Sequence, residues 1–430
     1  MESLLHYVWQ YKLFNSDYLT TTAGESVEIV SPGKLNRDAG PDFFNAQVKI
    51  GGRLWAGNVE MHTDAADWFT HGHDKDRAYD SVILHVVEYG EATILRSNGE
   101  EIPQLVLPIP FAVRENISYL LQRSSLVPCG NFLSDIDPIH LSLWKDVLLV
   151  ERLERKRKDI SVLLERSGND WNEVFYVLLC RNFGFGTNSD AFERLARSLP
   201  WRCVLKQRYS STQTEALFFG QAGLLEEDYP NDRYYCFLKE EYRFFRHKYD
   251  LTPLDDSLLK SMRMRPGCFP HLRLAQLAQF WVQHDSLFST LIETVDMDAL
   301  KRLFQVSPSD YWETHYHLGH ASSPKKKPLG LSSINLLLIN TVAPLLFAYG
   351  EEKQDQCFCD RAIELFESLP PENNYIVRAF ARHGVSVSHA GDSQALIQLM
   401  RAYCEPKKCL YCRVGFRLLK KSYTTDWRFR

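Results

Sequence analysis

Several motifs that assign a function directly are missing from this sequence. Its 430 residues contain no phosphate-binding loop, dinucleotide-binding fingerprint, serine nucleophile elbow or HExxH zinc motif. A net charge of −4 gives no overall attraction to nucleic acid or to an anionic membrane, although the charge distribution still allows a local basic patch. Function must therefore be inferred from other residue patterns.

Cysteine is too scarce for a disulfide scaffold, with ten residues in 430. The N-terminal stretch MESLLHYVWQYKLF has an acidic second residue, and it lacks the basic region and cleavage site of a signal peptide. We therefore expect a cytoplasmic protein whose thiols are mostly reduced.

One apolar stretch, residues 329–349, is long enough to raise the question of a membrane span. Polar residues and a proline interrupt it, and no positively charged flank follows it. We therefore interpret it as a buried helix and expect no membrane partner. The interrupting residues are Ser332, Ser333, Asn335, Asn340 and Pro344.

Hydrophobic periodicity divides the chain into two parts. Residues 1–110 are expected to form a mixed α/β domain in the order helix, three strands, helix, strand, with further strands appended. Residues 111–430 are expected to form an all-helical domain that ends in a cysteine cluster. The predicted fold class is therefore α+β. The strands are expected at 26–30, 43–50, 54–62, 81–88, 93–96 and 104–107, with a Gly51-Gly52 hairpin turn between the second and third.

Residues 38–87 combine strand-forming residues with a dense set of Asp, Glu and His side chains. Asp42 opens the second strand and Glu60 lies near the end of the third, so the hairpin makes the two carboxylates neighbours. His62 follows Glu60 by two residues and shares its face of the strand. Paired carboxylates suit Mg²⁺ or Mn²⁺, and a histidine adds a proton carrier or a nitrogen ligand that favours Mn²⁺ or Zn²⁺.

These residues resemble a known nuclease signature. Pro41-Asp42, seventeen further residues and then Glu60-Met61-His62 resemble the motif of the PD-(D/E)XK nucleases, with His62 where that family has lysine. The expected order αβββαβ is also that family's restriction-endonuclease-like core. The resemblance implies that Asp42 and Glu60 bind the metal and that His62 orients the attacking water.

Two further resemblances concern the neighbouring residues. His71 and His73, in WFTHGH, are similar to histidines after the third strand of very-short-patch mismatch-repair endonucleases, which implies a role for either as acid or ligand. His85, in SVILHVVE, is another candidate site residue.

Most of the chain also resembles an uncharacterised bacterial family with DAGPDF, VEMH and LHVV blocks and a Cys-rich C-terminus, and this implies no particular activity.

Each candidate also has a purely structural interpretation. Asp42 after Gly-Pro suits a turn, and Glu60 suits a cross-strand ion pair with Arg53. Their clustering nevertheless favours a site. The histidines suit hydrogen-bonded core positions or exposed surface positions: His62, His71, His73 and His85.

The C-terminal region contains a C-x4-C-x2-C run formed by Cys404, Cys409 and Cys412. Such thiolates bind Zn²⁺ or an iron–sulfur cluster when a fourth ligand completes the set, and three reduced thiols without metal are the alternative. The run resembles the four-cysteine clusters of some DNA glycosylases and some PD-(D/E)XK nucleases. The residues considered for the fourth position are Cys357, Cys359, His383 and His389.

Our leading hypothesis is a metal-dependent nuclease or a nuclease-like nucleic-acid-binding protein. Eight basic residues between Lys407 and Arg430 would supply phosphate contacts. One alternative is a non-catalytic protein that binds a protein partner on a degenerate nuclease fold, which the missing lysine favours. Another is a metal-dependent hydrolase of a different substrate, which the acidic pair and histidines allow.

Overall fold

The computed structural model describes residues 2–424 except 15, 17, 37, 228, 285 and 286, and it describes side chains up to residue 420. The chain is a mixed α+β protein, 56% helical, with an N-terminal sheet followed by a large helical region. It packs as two compact units. Unit 1 is Met1–Trp144, Ala379–Val385 and Leu399–Arg430, and unit 2 is Lys145–Arg378 and Ser386–Gln398. The domain boundary expected near residue 110 stays a prediction.

The strands of the described chain are β1 (Val27–Ser31), β2 (Lys34–Leu35), β3 (Phe43–Ile50), β4 (Arg53–Asp64), β5 (Val82–Tyr89), β6 (Gln104–Val106), β7 (His315–His317) and β8 (His320–Ala321). The helices are α1 (Glu2–Gln10), α2 (Asp67–Thr70), α3 (Phe111–Gln122), α4 (Pro138–Arg166), α5 (Trp171–Phe183), α6 (Ser189–Ser198), α7 (Trp201–Gln207), α8 (Ser211–Gln221), α9 (Arg233–Tyr249), α10 (Pro270–Gln283), α11 (Leu287–Glu293), α12 (Met297–Leu303), α13 (Leu331–Leu337), α14 (Ala343–Lys353), α15 (Gln356–Ser368), α16 (Tyr375–Ala381), α17 (Ala390–Leu399) and α18 (Arg413–Thr424).

The sheet of unit 1 has the strand order β1-β3-β4-β5-β6. The short β2 also pairs with β3. The pairs β1/β3 and β3/β4 are antiparallel, whereas β4/β5 and β5/β6 are parallel. The crossover from β4 to β5 passes through α2 and two 3-10 turns. The strand expected at 93–96 is wrong, because Leu95 forms only an isolated bridge with Glu101.

The β3–β4 hairpin forms where the two glycines predict it. Gly51 and Gly52 have φ angles of 55° and 82°, a left-handed pair that two-residue hairpins with right-handed twist require. Ile50 and Arg53 close the turn as partners. The hairpin therefore sets the register of both strands.

A β-bulge then changes that register. Ala46 pairs with Gly57, and the next pair is Phe43 with Val59, so β3 carries one residue more than β4 between them. Asn45 lies in the bulge with a φ of 55°. Asn tolerates this left-handed conformation better than other side-chain-bearing residues do.

The bulge decides which residue faces Asp42. The N–H of Asn45 donates to Oδ1 of Asn58 at 3.2 Å, which fixes the irregular segment. The one-residue shift puts Asp42 across from Glu60. In the unbroken register Asp42 would lie across from Met61, on the opposite face of the sheet.

The two faces of the sheet differ in composition. One face packs against α1 and α3 in the main apolar core of unit 1. The other face is covered by a smaller apolar cluster and receives the polar side chains of β4 and β5. The smaller cluster consists of Trp68, Val82, Ile94 and Ile102, all 1% exposed or less.

Unit 2 is helical apart from the short β7–β8 hairpin, among its described residues. Its aromatic core includes Trp281 against Trp201, with ring centroids 4.5 Å apart. The stretch Leu331–Lys353 is long and apolar enough to cross a membrane, and 72% of its apolar window is buried inside the protein. A core helix of a globular protein has these same properties.

We predict that Asn45→Val lowers the free energy of unfolding by about 1–2 kcal/mol, because a β-branched residue is strained at this positive φ. Asn45→Gly is the matched control, since glycine adopts the same φ without strain. Urea unfolding of both variants measures the difference. Equal stabilities of the two variants would contradict the bulge geometry.

Candidate metal centre on the sheet of unit 1

Asp42 and Glu60 are held together by reciprocal hydrogen bonds. The N–H of Asp42 donates to Oε2 of Glu60 at 3.0 Å, and the N–H of Met61 donates to Oδ2 of Asp42 at 3.0 Å. The same Asp42 oxygen lies 3.1 Å from Nε2 of His6 on α1. Each carboxylate therefore accepts a hydrogen bond from the backbone of the other segment. The second oxygen of each carboxylate is available to a ligand.

Three histidines from the β4–α2 region gather beside Glu60. Nitrogen atoms of His62, His71 and His73 all lie within 4.8 Å of one another. Oε1 of Glu60 is 3.3 Å from Nε2 of His73 and 3.6 Å from Nε2 of His62. Gly72, at φ 76°, makes the turn that brings His71 and His73 back over the strand.

Aromatic packing fixes the orientation of these rings. His73 is stacked on Tyr79, with ring centroids 3.7 Å apart, and Trp68 contacts the edges of His73 and His62. His62 is 1% exposed, whereas His71 is exposed to solvent. The cluster therefore runs from the protein interior to the surface.

A buried chain of hydrogen bonds sets the proton positions behind His62. The N–H of Ala92 donates to Oε1 of Gln104 at 3.3 Å, so the amide nitrogen of Gln104 faces Nδ1 of His85 at 3.2 Å. An amide nitrogen only donates, so this Nδ1 accepts and Nε2 of His85 carries the proton. That proton is donated to Nδ1 of His62 at 2.8 Å.

The tautomer of His62 follows from this chain. Because its Nδ1 accepts, the neutral ring carries its proton on Nε2. That atom lies 3.1 Å from Nδ1 of His71 and near Glu60. His62 is therefore a hydrogen-bond donor into the site, whereas a metal ligand at the same atom would need the other tautomer.

Burial controls the charges in the site. Desolvation, followed by the nearby carboxylate of Asp42, raises the pKa of Glu60 to about 9. Desolvation lowers the pKa of His62 and that of His85 to about 3, so both rings are neutral near pH 7. The phenol pKa of Tyr79 is raised to about 12, mainly by desolvation.

The available atoms suit a transition metal better than Mg²⁺. Carboxylate oxygens of Asp42 and Glu60 suit hard ions, and the imidazole nitrogens beside them shift the preference towards Mn²⁺ or Zn²⁺. Glu60 is 5% exposed and the neighbouring Asp42 is half-buried, so a bound cation would also compensate these two acidic groups.

The structure thus brings together all six candidate residues of the sheet region, although their catalytic and ligand roles stay predictions. It adds two residues that sequence reasoning missed. His6 contacts Asp42 from α1, and Gln104 from β6 supports His85. Gln104 lies in a strand that was expected, but only the parallel pairing of β5 with β6 shows that it meets His85.

The C-terminal cysteines gather with a cysteine from another part of unit 1. Cys404, Cys409 and Cys412 lie within electrostatic reach of one another and of Cys129. Among the described residues, none of the ten cysteines forms a disulfide bond. Of the residues considered for the fourth position, Cys357 and Cys359 are on α15 in unit 2 and His389 also belongs to unit 2. The ring of His383 lies next to Gly130, the residue after Cys129.

Unit 2 contains a separate polar cavity of about 340 Å³. His271, His317 and His320 line it together with Glu227 and Asp256. Desolvation lowers the pKa of His271 to about 3, and its Nδ1 has no hydrogen-bond partner among the described residues. No local sequence pattern indicates this cavity, because its histidines come from α10 and the β7–β8 hairpin.

We predict that metal-free protein loses stability as the pH rises from about 7 to about 9, and that Glu60→Gln loses less. The folded state holds the Glu60 proton more tightly than the unfolded state, so this contribution is complete below pH 4.5 and is lost as the pH approaches 9. Urea unfolding with a chelator measures both proteins. Parallel pH profiles would contradict the raised pKa.

The measurements begin at about pH 7 because two histidines lower the stability at more acidic pH. His62 and His85 have lowered pKa values, so their contribution is lost as the pH falls from 6.5 towards 3. Glu28→Gln is the matched control, because Glu28 is an exposed residue of β1 that pairs with Lys49 at the surface. We expect its pH profile to follow that of the unmodified protein.

Comparison with known proteins gives a family for the chain. A family described as "Protein of unknown function (DUF2851)" matches residues 2–375. No curated protein and no solved structure matches the chain. Since the family match spans most of the sequence, the chain belongs to the DUF2851 family of proteins of unknown function.

Proposed function

We propose that unit 1 is a metal-dependent phosphodiesterase that acts on nucleic acid. The observation that carries this proposal is the pair of carboxylates, Asp42 and Glu60, joined across two strands beside the nitrogen atoms of His62, His71 and His73. Paired acidic groups with adjoining imidazoles are a donor set for a divalent ion that promotes hydrolysis.

The arrangement of the strands supports the resemblance to PD-(D/E)XK nucleases. Without the short β2, unit 1 begins with α1, β1, β3, β4, α2 and β5, which is the order αβββαβ. Asp42 directly precedes β3 and Glu60 lies on β4. These two positions support the proposal.

The side chains have separate roles in this proposal. Asp42, Glu60 and His73 would hold the ion, which would supply Lewis-acid stabilisation of the charge that develops on the phosphoryl group. The N–H of His62 donates a hydrogen bond to the attacking water or to a phosphoryl oxygen. This is the positioning task that a lysine performs in the PD-(D/E)XK signature, here carried out by a neutral donor.

The exposed His71 connects the site to solvent. Its Nδ1 lies 3.1 Å from Nε2 of His62, so the two rings form a path for a proton between the buried donor and bulk water. This path gives His71 a role in proton exchange during turnover.

A basic helix in unit 1 supports nucleic acid as the substrate. The helix α18 presents exposed Arg413, Arg417 and Lys420. Its Phe416 ring packs on Tyr11, the residue directly after α1, with centroids 4.7 Å apart. Helix α1 contributes His6 to the carboxylate pair. Positive charge on α18 would bind phosphates. Of the other predicted basic residues, the side chain of Lys421 and all of Arg428 and Arg430 lie outside the described residues.

We predict that Mn²⁺ binds unit 1 of the full-length protein and that Glu60→Gln or Asp42→Asn weakens binding at least tenfold. Each change removes a charged oxygen ligand while keeping the shape of the side chain. Isothermal titration with Mn²⁺, Zn²⁺ and Mg²⁺ measures affinity, with Glu28→Gln as the exposed carboxylate control. Cleavage of single- and double-stranded DNA and RNA is measured on the same proteins.

The outcomes separate the candidate functions. Binding and cleavage that are both lost in Glu60→Gln and kept in Glu28→Gln support the nuclease. Metal binding without cleavage of any nucleic acid would rule out nucleic acid as the substrate and would point to another hydrolase. No binding of any of the three ions overturns the metal centre and leaves an interaction protein.

We also predict that Gln104→Glu raises the affinity for Mn²⁺ or Zn²⁺ by about tenfold to a hundredfold. A carboxylate at this position accepts a hydrogen bond from Nδ1–H of His85 and still accepts one from the N–H of Ala92. The hydrogen-bond chain then reverses, and Nε2 of His62 gains a free electron pair for the metal. Titration calorimetry measures the affinity, and nitrogen NMR of the imidazoles reports the tautomers.

Gln104→Met is the matched control for this variant. It has a similar volume but cannot donate or accept, so it leaves the His85 tautomer undetermined and gives no gain in affinity. If Gln104→Glu changes neither the His62 tautomer nor the metal affinity, Gln104 does not set the direction of the hydrogen bonds from His85 to His62.

A further inference from the structure

We infer that Cys129, Cys404, Cys409 and Cys412 bind an iron–sulfur cluster in unit 1, separate from the proposed site on the sheet. Cys129 is the unexpected member, since 274 residues separate it from Cys404 in the sequence. The inference is independent of the nuclease proposal, because it concerns different residues.

The local backbone prepares the three C-terminal thiols. Cys409 and Cys412 flank a 3-10 turn in which the N–H of Cys412 donates to the carbonyl of Cys409 at 3.3 Å. Cys404 ends the helical stretch before this turn, and its carbonyl accepts from the N–H of Lys407 at 3.1 Å. Gly415 lets the first turn of α18 approach the carbonyl of Cys409, where a Cβ would collide.

Contacts to α3 bring this segment towards Cys129. The turn Cys409–Tyr411 packs against α3, and the ammonium group of Lys407 bonds to the carbonyl of Leu121 near the end of that helix. Cys129 follows α3 after a short loop and lies within electrostatic reach of Cys409 and Cys412. Cys404 is within reach of all three other thiols. Four thiols thus converge without forming a disulfide.

The spacing favours an iron–sulfur cluster over a single Zn²⁺. C-x4-C-x2-C with a remote fourth cysteine is a ferredoxin-type ligand pattern, whereas structural zinc sites commonly use two closely spaced cysteine pairs. Four sulfurs on one Zn²⁺ would be about 3.8 Å apart, given Zn–S bonds of about 2.3 Å. Among the described residues, only His62, His71 and His73 have ligand atoms within 4.8 Å of one another. No three of the four thiols therefore have the close spacing that a single Zn²⁺ requires.

Nearby charges match an iron–sulfur cluster. Four thiolates concentrate negative charge, and Lys407, Lys408 and Arg413 lie within the same short segment. The cluster would join α18 to the loop after α3 by bonds stronger than the apolar contacts there. It would therefore act as a structural clamp on the C-terminal segment of unit 1.

The test is metal analysis of the full-length chain purified without oxygen. We expect iron and acid-labile sulfide in equal amounts, with visible absorption from sulfur-to-iron charge transfer. Cys129→Ser and Cys412→Ser should each lose at least nine-tenths of the iron. Cys203→Ser is the matched control, because Cys203 is a half-buried thiol on α7 in unit 2.

A second measurement tests the site in the unmodified protein, in case Cys129→Ser does not fold. Alkylation and mass spectrometry of the unmodified protein should show these four thiols protected together, and reactive together once the cluster is removed by oxidation and chelation. Zinc without sulfide would overturn the iron–sulfur assignment. Full iron content in folded Cys129→Ser would overturn the fourth ligand, and a metal-free protein with independently reactive thiols would overturn the site itself.

Discussion

The one-residue bulge in β3 is the constraint on which the sheet region depends. It shifts the pairing after Ala46 so that Asp42 lies across from Glu60 rather than Met61. Side chains alternate between faces along a strand, so this single shift moves a carboxylate from the apolar core face to the face that carries the histidines. Bulges often redirect side chains next to functional sites. The acidic pair follows from that change of register, whereas the histidine cluster depends on β4 and on the turn at Gly72.

The second face of the sheet must then accommodate polar groups inside the protein. Buried polar atoms are expensive unless they are hydrogen-bonded, and the chain from Ala92 through Gln104 and His85 to His62 satisfies each of them in turn. Trp68 and the apolar residues around it exclude water from the same face. The result is a dry, rigid support behind a site that reaches solvent at His71. Such support fixes the ring orientations before any ligand arrives.

Much of this architecture could be predicted from local patterns, and the remainder depends on pairing that no local pattern encodes. The Gly51-Gly52 turn, the limits of β3 and the alternation that puts Glu60 beside His62 are local, and the structure contains them. The bulge at Asn45 is not local, because its register depends on β4. Contacts made across long sequence separations, as by Gln104 or Cys129, also have no local signal.

Glu60 explains why this region requires a partner for its negative charge. A carboxylate buried next to another carboxylate is unfavourable as a pair of charges, so it takes up either a proton or a cation. The raised pKa of Glu60 shows that the proton serves when no cation is present. Proton and cation then compete for the same place, and any cation bound between Asp42 and Glu60 must release that proton. Nε2 of His62 lies 3.6 Å from Oε1 of Glu60, so its N–H would favour the charged form of that carboxylate. A cation in this site would therefore couple the protonation of Glu60 to the tautomer of His62.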